Sequence, residues 1–591
     1  MMTPRERRRF WILVALTFVL SVVEAASVLS ILPFLQLVAE PELIGTNRVY
    51  AWLNASFGFS DAQEFLIWAG GAVFAVTLLG LVTRIVAMWI TTRFALMRSY
   101  SFSSRLMTSY LHQPYTWFLG RHTANLGSAI LTEVNDVVHR SLLPAVQVIP
   151  KLFTALLLIL ALCLLEPVVA IGSALVVIVF YAVVYLTIRQ VLLRIGQTVR
   201  DANRERYHAV QESMGGVKEL KVLGLEDVYL ARFRKSAYRM ARVQTTGEIL
   251  GRTPRFLIEG IAFGGMILLV MVLLMQRGGD LSAIVPTLAV IAAAGLRLIP
   301  ALQQSYELFS TMRQGTATLV TMHRDMTGLD HGQVEATSSR ESAPARPLTR
   351  RLELENISFS YPGTDRSALR GLNLAIEANT TVGIVGGTGS GKTTLVDIVL
   401  GLLDPAEGVM RVDGEPITPV NRRAWQRTLG YVPQTIFLAD GTIAENIALG
   451  LSPDRIDHAA VEHAARVASL HDFVMSELPR GYATQVGERG VRLSGGQRQR
   501  VGIARALYHD PAMLILDEAT SALDNLTERS VMDAVHSITG QKTIVMIAHR
   551  LSTVRNCDRI FLMRDGRVAA SGRFEDLVAG DDEFRRMAAG A

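Results

Sequence analysis

The chain has 591 residues, a net charge of +6 and hydrophobic residues at half of its positions. With a mean hydropathy of +0.30, and with its longest apolar runs before about residue 305, this composition excludes an ordinary soluble protein. The two cysteines, Cys163 and Cys557, exclude a disulfide framework and a cysteine-based metal cluster, and they favour a reducing cytosolic face. We attribute the excess of cations to arginines that flank apolar segments and orient them in the bilayer. This explanation fits so apolar a chain better than nucleic-acid binding does.

Six apolar segments in the first half predict membrane-spanning helices. They cover residues 10–38, 65–92, 142–165, 168–188, 256–275 and 281–302, and ~20 apolar residues suffice to cross the hydrocarbon core. The first segment follows four arginines and is too long for a signal-peptide core. The connections after the second and fourth segments are long and rich in arginine, which places them and both termini in the cytoplasm.

Three short stretches between the predicted spans have a pattern of their own. Residues 113–118 and 211–216 interrupt long helical segments, so we expect turns there, either facing a cytosolic partner or forming plain loops. Val49, Trp52, Leu53 and Phe57 recur at helical spacing in the first outer connection. They predict a short amphipathic helix, lying on the outer membrane surface or packed against the neighbouring spans.

A linker separates this membrane half from a second domain. Residues 333–350 are rich in Ser, Ala, Pro and Arg and lose apolar periodicity. Residues 352–357 then alternate as a half-buried strand does. We therefore predict a transmembrane domain at residues 1–330, a linker at 331–351 and a second domain at 352–591.

Residues 386–393 read GGTGSGKT and match the phosphate-binding P-loop pattern. They lie between an apolar run at 381–385 and a helix-like run at 394–403, which is the strand, loop and helix order that the motif requires. The backbone N–H groups of such a loop surround phosphate oxygens at a helix N-terminus. Lys392 would reach the β- and γ-phosphates of ATP, and Thr393 would bind Mg²⁺. The alternative is an ordinary glycine-rich turn.

A pair of carboxylates follows a second buried strand. Residues 512–516 are continuously apolar and end in Asp517 and Glu518, at the strand end where α/β sheets bind ligands. Asp517 would hold Mg²⁺, and Glu518 would polarise the water that attacks the γ-phosphate. The alternative is a buried acidic pair with a structural role.

With these motifs in place, LSGGQ at residues 493–497 makes the chain resemble ATP-binding-cassette (ABC) transporters. That resemblance implies an adenine-stacking Tyr361, a Q-loop Gln434, a D-loop Asp524 and a switch His549 that contacts the γ-phosphate. It implies catalytic roles for Glu518, His549 and Gln434, and metal contacts from Thr393, Gln434 and Asp517. The nucleotide would contact Tyr361, Gly386, Gly387, Thr388, Gly389, Ser390, Gly391, Lys392, Thr393, Thr394, Ser494, Gly495, Gly496, Gln497 and Asp524.

The resemblance covers the entire chain and has the layout of a half-transporter. The implied fold is multidomain: an all-α six-helix transmembrane exporter bundle followed by an α/β P-loop nucleotide-binding domain. Residues 484–490 resemble the X-loop of exporters, and residues 113–118 and 211–216 correspond to coupling helices. In the family, each ATP binds between the P-loop of one domain and the signature, here LSGGQ at residues 493–497, of another. Since this chain has one of each, the resemblance implies a homodimer with two competent sites.

Further stretches narrow the resemblance to PglK-type flippases of lipid-linked oligosaccharides. They are the outer amphipathic segment and residues 218–224 and 298–302. The implied substrate is a pyrophosphate-linked or other anionic glycolipid, moved to the outer leaflet of a bacterial inner membrane. The alternative is an exporter of hydrophobic drugs or simple lipids, of the lipid A or multidrug type. A tethered soluble-type ATPase and an ATP-gated channel fit the sequence less well.

Three cations inside the predicted spans support an anionic substrate. Arg84, Lys151 and Arg297 lie in the inner half of three different spans or at its edge. Charged residues are costly in a bilayer and usually face a cavity or a partner, and arginine suits bidentate phosphate binding. We therefore predict a positively charged lining for an anionic head group. The alternative is that these cations reach the cytosolic interface or pair with Glu259.

Overall fold

The computed structural model of the chain describes residues 3–589 except 60, 166, 277–284, 330–344, 365, 488–489, 491–492, 520–527, 529–531, 534, 536–537 and 549. It forms two compact units. The first comprises Met1–Gln113 and Arg121–His331, and the second comprises Pro114–Gly120 and Gly332–Ala591. The long segment of the second unit begins at Gly332, one residue after the start of the linker that we predicted at 331–351. Most of that linker lies outside the described residues.

The first unit is built of helices, with no strand among its described residues. Two short π-helical turns, Ala129–Glu133 and Val138–Leu142, flank α8. Up to residue 327, and counting α6 of the second unit, the α-helices are α1 Pro4–Leu29, α2 Ile31–Ala39, α3 Leu43–Thr46, α4 Arg48–Phe57, α5 Ala62–Leu111, α6 Tyr115–Leu119, α7 Thr123–Ser128, α8 Val134–Val137, α9 Leu143–Leu165, α10 Pro167–Gly215, α11 Val217–Leu223, α12 Glu226–Gln276 and α13 Val285–Thr327.

The predicted spans fall within long helices. Four described stretches are long and apolar enough to cross a bilayer: Pro4–Val38, Ala62–Leu111, Asn125–Ala161 and Ile178–Gly215. The fifth predicted span lies in α12, and the sixth lies in α13 apart from residues 281–284, which are not described. The helices α5, α10 and α12 extend well past their apolar segments, since the intervening sequence has few glycines or prolines.

Small residues bring the helices of the first unit close together. α1 packs against α5 and α9, α9 packs against α13, and α10 packs against α12 and α13. A Cβ on Gly196 of α10 would lie 2.0 Å from the carbonyl oxygen of Gln314 in α13, so only glycine fits there. An ion pair of 2.5 Å joins Glu6 of α1 to Arg98 of α5.

The predicted amphipathic helix is α4, and it has apolar residues on two sides. Leu53 packs against a cluster that includes Leu37 and Phe65, whereas Trp52 and Phe57 are 66% and 72% exposed. One side of α4 is therefore fixed to neighbouring helices. The exposed aromatic side chains have the character that favours a membrane interface.

The second unit contains two sheets that follow from its strand and turn pattern. An antiparallel sheet has the order β2-β1-β4-β5, and a second, mainly parallel sheet has the order β10-β9-β3-β8-β7-β6. The strands are β1 Arg351–Ser360, β2 Ser367–Glu377, β3 Thr381–Gly386, β4 Glu407–Val412, β5 Glu415–Pro416, β6 Leu429–Val432, β7 Met513–Asp517, β8 Thr543–Ile547, β9 Arg559–Arg564 and β10 Arg567–Gly572.

Short helices cover these sheets. In chain order they are α14 Lys392–Val399, α15 Arg422–Gln426, α16 Ile443–Ile447, α17 His458–Val467, α18 His471–Glu477, α19 Gly495–Leu507, α20 Leu551–Val554, α21 Phe574–Gly580 and α22 Asp582–Ala589.

The centre of the parallel sheet positions the site. Every residue of β3, β7 and β8 is buried, as expected for parallel strands covered on both faces. β8 pairs with both β3 and β7, so the carboxyl ends of all three strands meet at one edge. Trp425, fully buried, donates a 2.8 Å hydrogen bond to the carbonyl of Val399 and fixes the end of α14. The expected helical bundle followed by an α/β domain is confirmed.

Candidate functional site

The P-loop connects β3 to α14 and wraps around its own lysine. The Nζ of Lys392 donates to the carbonyl oxygens of Gly386 at 2.8 Å and Gly387 at 3.0 Å. Burial lowers the pKa of Lys392, although the nearby Glu518 and Asp517 oppose this effect. Gly391 has a φ of +99°, and a Cβ there would lie 2.8 Å from the carbonyl oxygen of Ala368. Glycine is therefore required on conformational and steric grounds.

A cavity of about 390 Å³ opens beside this loop, a size within the range of small-molecule sites. Tyr361 lines it, with its hydroxyl 3.0 Å from the Oγ1 of Thr394. Residues proposed from the sequence that line the cavity are Tyr361, Thr388, Gly389, Ser390, Gly391, Lys392, Thr393, Thr394 and Glu518. Lining residues that the sequence argument missed are Thr364, Arg366, Ser367, Ala368, Arg370, Asp565 and Gly566.

Two carboxylates stand at the end of β7, each with a polar neighbour. Nε2 of Gln434 donates to Oε2 of Glu518 at 2.6 Å, and the hydroxyl of Tyr431 donates to Oδ2 of Asp517 at 3.4 Å. Burial, with the charge of Asp517, raises the pKa of Tyr431. Asp397 lies on α14, where burial and then the charge of Asp517 raise its pKa to about 6. The structure therefore brings Gln434, Asp517 and Glu518 together near Lys392.

Glu518 has an unusual backbone. Its φ is +50°, and the other described non-glycine residues with positive φ are asparagines, aspartates and a serine. Asn and Asp tolerate this region, whereas a longer side chain is strained in it. The N–H of Glu518 donates to the carbonyl oxygen of Ile547 in β8 at 3.1 Å. This bond to the neighbouring strand fixes the turn that directs Glu518 into the cavity.

The signature forms the start of a helix outside this cavity. Ser494 caps α19: its Oγ accepts from the N–H of Gln497 at 3.2 Å, and Oε1 of Gln497 accepts from the N–H of Ser494 at 2.8 Å. This capping box orients Gly495 and Gly496 in the first turn. None of the described residues that line the cavity belongs to the signature. Among the described residues of one chain, the signature therefore does not contribute to the cavity beside the P-loop.

Several predicted site residues lie outside the described ones. His549 and Asp524 are not described, and neither is the side chain of Arg297, although α13 includes its position. Their predicted roles stay predictions. The described part of the X-loop pairs with the chain before α16, because Gln485 bridges to Thr442.

The membrane cations have a partner that the sequence argument did not consider. Arg84 of α5 donates from Nε and Nη2 to Oε1 of Glu24 in α1, at 2.9 and 2.6 Å. Thr154 of α9 donates to the other oxygen of Glu24 at 3.3 Å. Lys151, also on α9, lies within electrostatic range of Glu24 and Arg84. Arg84 is therefore paired with an acid on another helix, and this acid is Glu24 instead of the Glu259 considered from the sequence. The predicted positively charged lining stays a prediction.

Comparisons with known proteins identify the family. The family model described as "ABC transporter transmembrane region" matches residues 12–292, and the model described as "ABC transporter" matches residues 369–521. An ATP-dependent lipid A-core flippase of Cupriavidus metallidurans is 33% identical over 485 residues, which are 79% of this chain and 77% of the relative. The chain belongs to the ABC transporter family.

Further relatives define its type. An ATP-dependent lipid A-core flippase of Cupriavidus pinatubonensis is 32% identical over 80% of this chain and 78% of its own length. The solved structure of a bacterial Atm1-family ABC exporter with ATP bound matches with a TM-score of 0.79 and 25% identity, covering 99% of this chain and 98% of that one. This ABC transporter is therefore a multi-pass half-transporter of the exporter type. It binds ATP and couples ATP hydrolysis to transport.

Proposed function

We propose that this ABC exporter is a flippase that moves an anionic glycolipid, of the lipid A type, from the inner to the outer leaflet of a bacterial inner membrane. Two of the similar proteins are named lipid A-core flippases, which supports a substrate of the lipid A type. The PglK-like stretches suggested a lipid-linked oligosaccharide, and the names support that substrate less well. Lipid A and diphosphate-linked oligosaccharides are both phosphorylated glycolipids. The proposed substrate is therefore still anionic, but its expected head group is that of lipid A instead of a diphosphate-linked oligosaccharide.

The observation that carries the proposal is the polar group formed by Glu24, Arg84, Lys151 and Thr154. Lys151 is half-buried, and it forms no ion pair among the described residues. With one acid and two cations, the group has a net positive charge. Ionisable residues inside membrane spans usually mark a substrate pathway, so a phosphate is the ligand that this group favours.

At the nucleotide site, the protein would act through residues that already lie together. Lys392 would exchange its bonds to the loop carbonyls for phosphate oxygens of ATP. Glu518, held by Gln434, would accept a proton from the attacking water. Such a base works best when its position is fixed in advance, and the bond from Gln434 supplies this.

The proposed Mg²⁺ site fits the residues present. Thr393, Gln434 and Asp517 offer a hydroxyl, an amide and a carboxylate oxygen, the hard oxygen ligands that Mg²⁺ prefers. Bound there, the ion would neutralise charge on the β- and γ-phosphates. Tyr431 would orient Asp517 through its hydrogen bond.

We propose a homodimer with two competent sites and with the termini and nucleotide-binding domains in the cytoplasm. The separation of Ser494 from the cavity supports a dimer, because the signature of a second chain would complete each site. The four arginines in the first turns of α1, which precede its apolar segment, support the orientation, since cationic flanks remain on the cytoplasmic side.

The test is lipid translocation in proteoliposomes with three lipids: lipid A, a diphosphate-linked oligosaccharide lipid and phosphatidylcholine. We expect wild type to translocate lipid A fastest, and Arg84→Ala and Lys151→Ala to lose this activity while keeping basal ATP hydrolysis. Arg239→Ala removes an exposed cation that pairs with Glu205 outside the polar group, and it should translocate lipid A normally.

Two outcomes would change the proposal. Faster translocation of the diphosphate-linked lipid would replace lipid A with an oligosaccharide substrate. Translocation that depends on neither Arg84 nor Lys151 would contradict the anionic-substrate proposal.

A further inference from the structure

Three neighbouring spans of the first unit each carry a single charge. Glu24 is the sole charged residue of residues 10–38, Arg84 of residues 65–92 and Lys151 of residues 142–165. The fold places these three charges in one group. We propose that Glu24 is the resident counter-ion of Arg84 and that it sets how tightly the lipid site holds an anionic head group. This inference rests on the proposed function.

The contacts show why Glu24 is the centre of the group. One carboxylate oxygen accepts both bonds from Arg84, and the other accepts from Thr154. Glu24 therefore joins α1 to α5 and α9. One turn closer to the N-terminus, Oγ of Ser21 lies 3.2 Å from the carbonyl oxygen of Pro150 and shares its proton between this oxygen and that of Thr17 at 2.8 Å, so α1 and α9 are also in contact there.

The backbones of α1 and α5 lie close enough together for Glu24 to contact Arg84. Gly80 lies one turn before Arg84, and a Cβ there would stand 2.2 Å from Oγ of Ser27, one turn after Glu24. The small residue lets α1 and α5 meet next to the ion pair. The carboxylate and the guanidinium are therefore aligned by packing.

The two partners differ in exposure. The side chain of Glu24 is 14% exposed, whereas that of Arg84 is 42% exposed. The bonds to Glu24 use two of the five N–H donors of a guanidinium. Glu24 is thus the more buried partner, and the remaining donors of the more exposed Arg84 are available to a second anion.

This arrangement predicts a compromise between binding and release. A phosphate that binds the free donors of Arg84 comes close to the carboxylate of Glu24, and two like charges repel each other strongly where water is scarce. Without a ligand, Glu24 stabilises a charge that is costly in the membrane. With a ligand, its repulsion weakens binding and favours release.

The deciding variant is Glu24→Gln, which removes the charge and keeps the length of the side chain and an acceptor for Arg84. ATPase stimulation would be measured on the full chain in phosphatidylcholine vesicles with increasing mole fractions of lipid A, together with translocation of lipid A. We expect the half-stimulating mole fraction to fall roughly 5-fold or more, because like charges placed next to each other weaken binding strongly. The maximal translocation rate should also fall, since release becomes slower.

Two further variants control for structure and charge. Glu133→Gln removes the acid of another interhelical pair, 3.1 Å from Arg204, and it should leave the half-stimulating fraction unchanged. Glu24→Asp keeps the charge and should not lower that fraction. Thermal unfolding of each variant shows whether it folds. If Glu24→Gln unfolds, a Glu24→Asp protein that binds lipid A more tightly than wild type would overturn the inference.

The outcomes separate this inference from the proposed function. If Arg84→Ala raises the half-stimulating fraction while a folded Glu24→Gln leaves it unchanged or raises it, the counter-ion role is wrong and the anionic substrate stands. If Arg84→Ala has no effect on lipid A, the counter-ion role is wrong. The anionic-substrate proposal is wrong as well only if Lys151→Ala also has no effect.

Discussion

At the residue scale, Glu518 combines a strained backbone with a fixed side chain. A residue held at an unfavourable φ typically costs about 1–3 kcal/mol, and such residues concentrate at active sites. At Glu518 the neighbouring strand β8 and the amide of Gln434 hold the conformation. This backbone conformation directs the carboxylate of Glu518 into the cavity beside Lys392, the position that a general base requires.

Replacing Glu518 with Gln should abolish hydrolysis and preserve ATP binding. The amide keeps the shape of the side chain but cannot accept the proton of the attacking water, and general bases contribute ~10²–10⁴-fold. ATPase assays and binding of a fluorescent ATP analogue would measure both properties. Lys392→Ala is the matched contrast and should lose binding itself. A Glu518→Gln protein with most of its turnover would remove Glu518 as the base and make His549 the next candidate.

Asp397 should give the nucleotide-binding domain an unusual pH dependence. Its pKa in the folded protein is about 6, above its ordinary value of 3.8, because it is buried and near Asp517. The folded state therefore binds more protons between these values, and the contribution of Asp397 to stability falls as pH rises through this window. Asp397→Asn should unfold at a higher temperature than wild type at pH 7.5, and this difference should shrink steadily as the pH falls from 6 towards 4.

Calorimetry in EDTA would measure the difference in unfolding temperature between Asp397→Asn and wild type. Asp413→Asn is the control, because its effect on stability should have the opposite sign. Burial opposes ionisation of Asp413, but hydrogen bonds from Thr349 and from the backbone N–H groups of residues 349–351 lower its pKa. Asp413→Asn should therefore destabilise the protein at pH 7.5, and less so in acid. A stabilising effect of Asp397→Asn that is equal at all pH values would contradict the assignment.

At the scale of elements, the contact between α1 and α5 depends on one glycine. Gly80→Ala places a methyl group against Ser27, where neighbouring helices leave no space. Overpacking typically costs about 1–3 kcal/mol, so we expect a lower unfolding temperature. Gly71→Ala, on the same helix with no atom near the added Cβ, should be neutral or stabilising because alanine favours helix. Equal effects of the two substitutions, measured in detergent, would show that this contact is loose.

At the scale of the whole molecule, a composite site predicts complementation between two defective chains. A mixed dimer of a Lys392→Ala chain and a Ser494→Ala chain combines both defects in one site and leaves the other intact. Because the P-loop and the signature come from different chains in this arrangement, mixing should restore ATPase activity. A doubly substituted chain mixed with itself is the control and should stay inactive. Mixed dimers as inactive as either parent would contradict composite sites.

The spacing of residues along the chain was sufficient to predict much of this protein's local structure. The P-loop that joins β3 to α14, and the two carboxylates at the end of β7, could be predicted from the sequence because strand, loop and helix patterns extend over only a few residues. The apolar segments predicted long helices for the same reason. The coarse fold and the family were predictable, since both depend on motifs that are contiguous in the chain.

The partnerships between distant residues were decided by the tertiary structure alone. Glu24 meets Arg84 because Gly80 lets α1 approach α5, and Gln434 meets Glu518 because the strands preceding them, β6 and β7, are neighbours in one sheet. Arg370 and Gly566 reach the cavity beside the P-loop from segments far apart in the chain. Sequence spacing carries no information about such pairs, because a side chain reaches only a few ångströms and its neighbours depend on how whole elements pack.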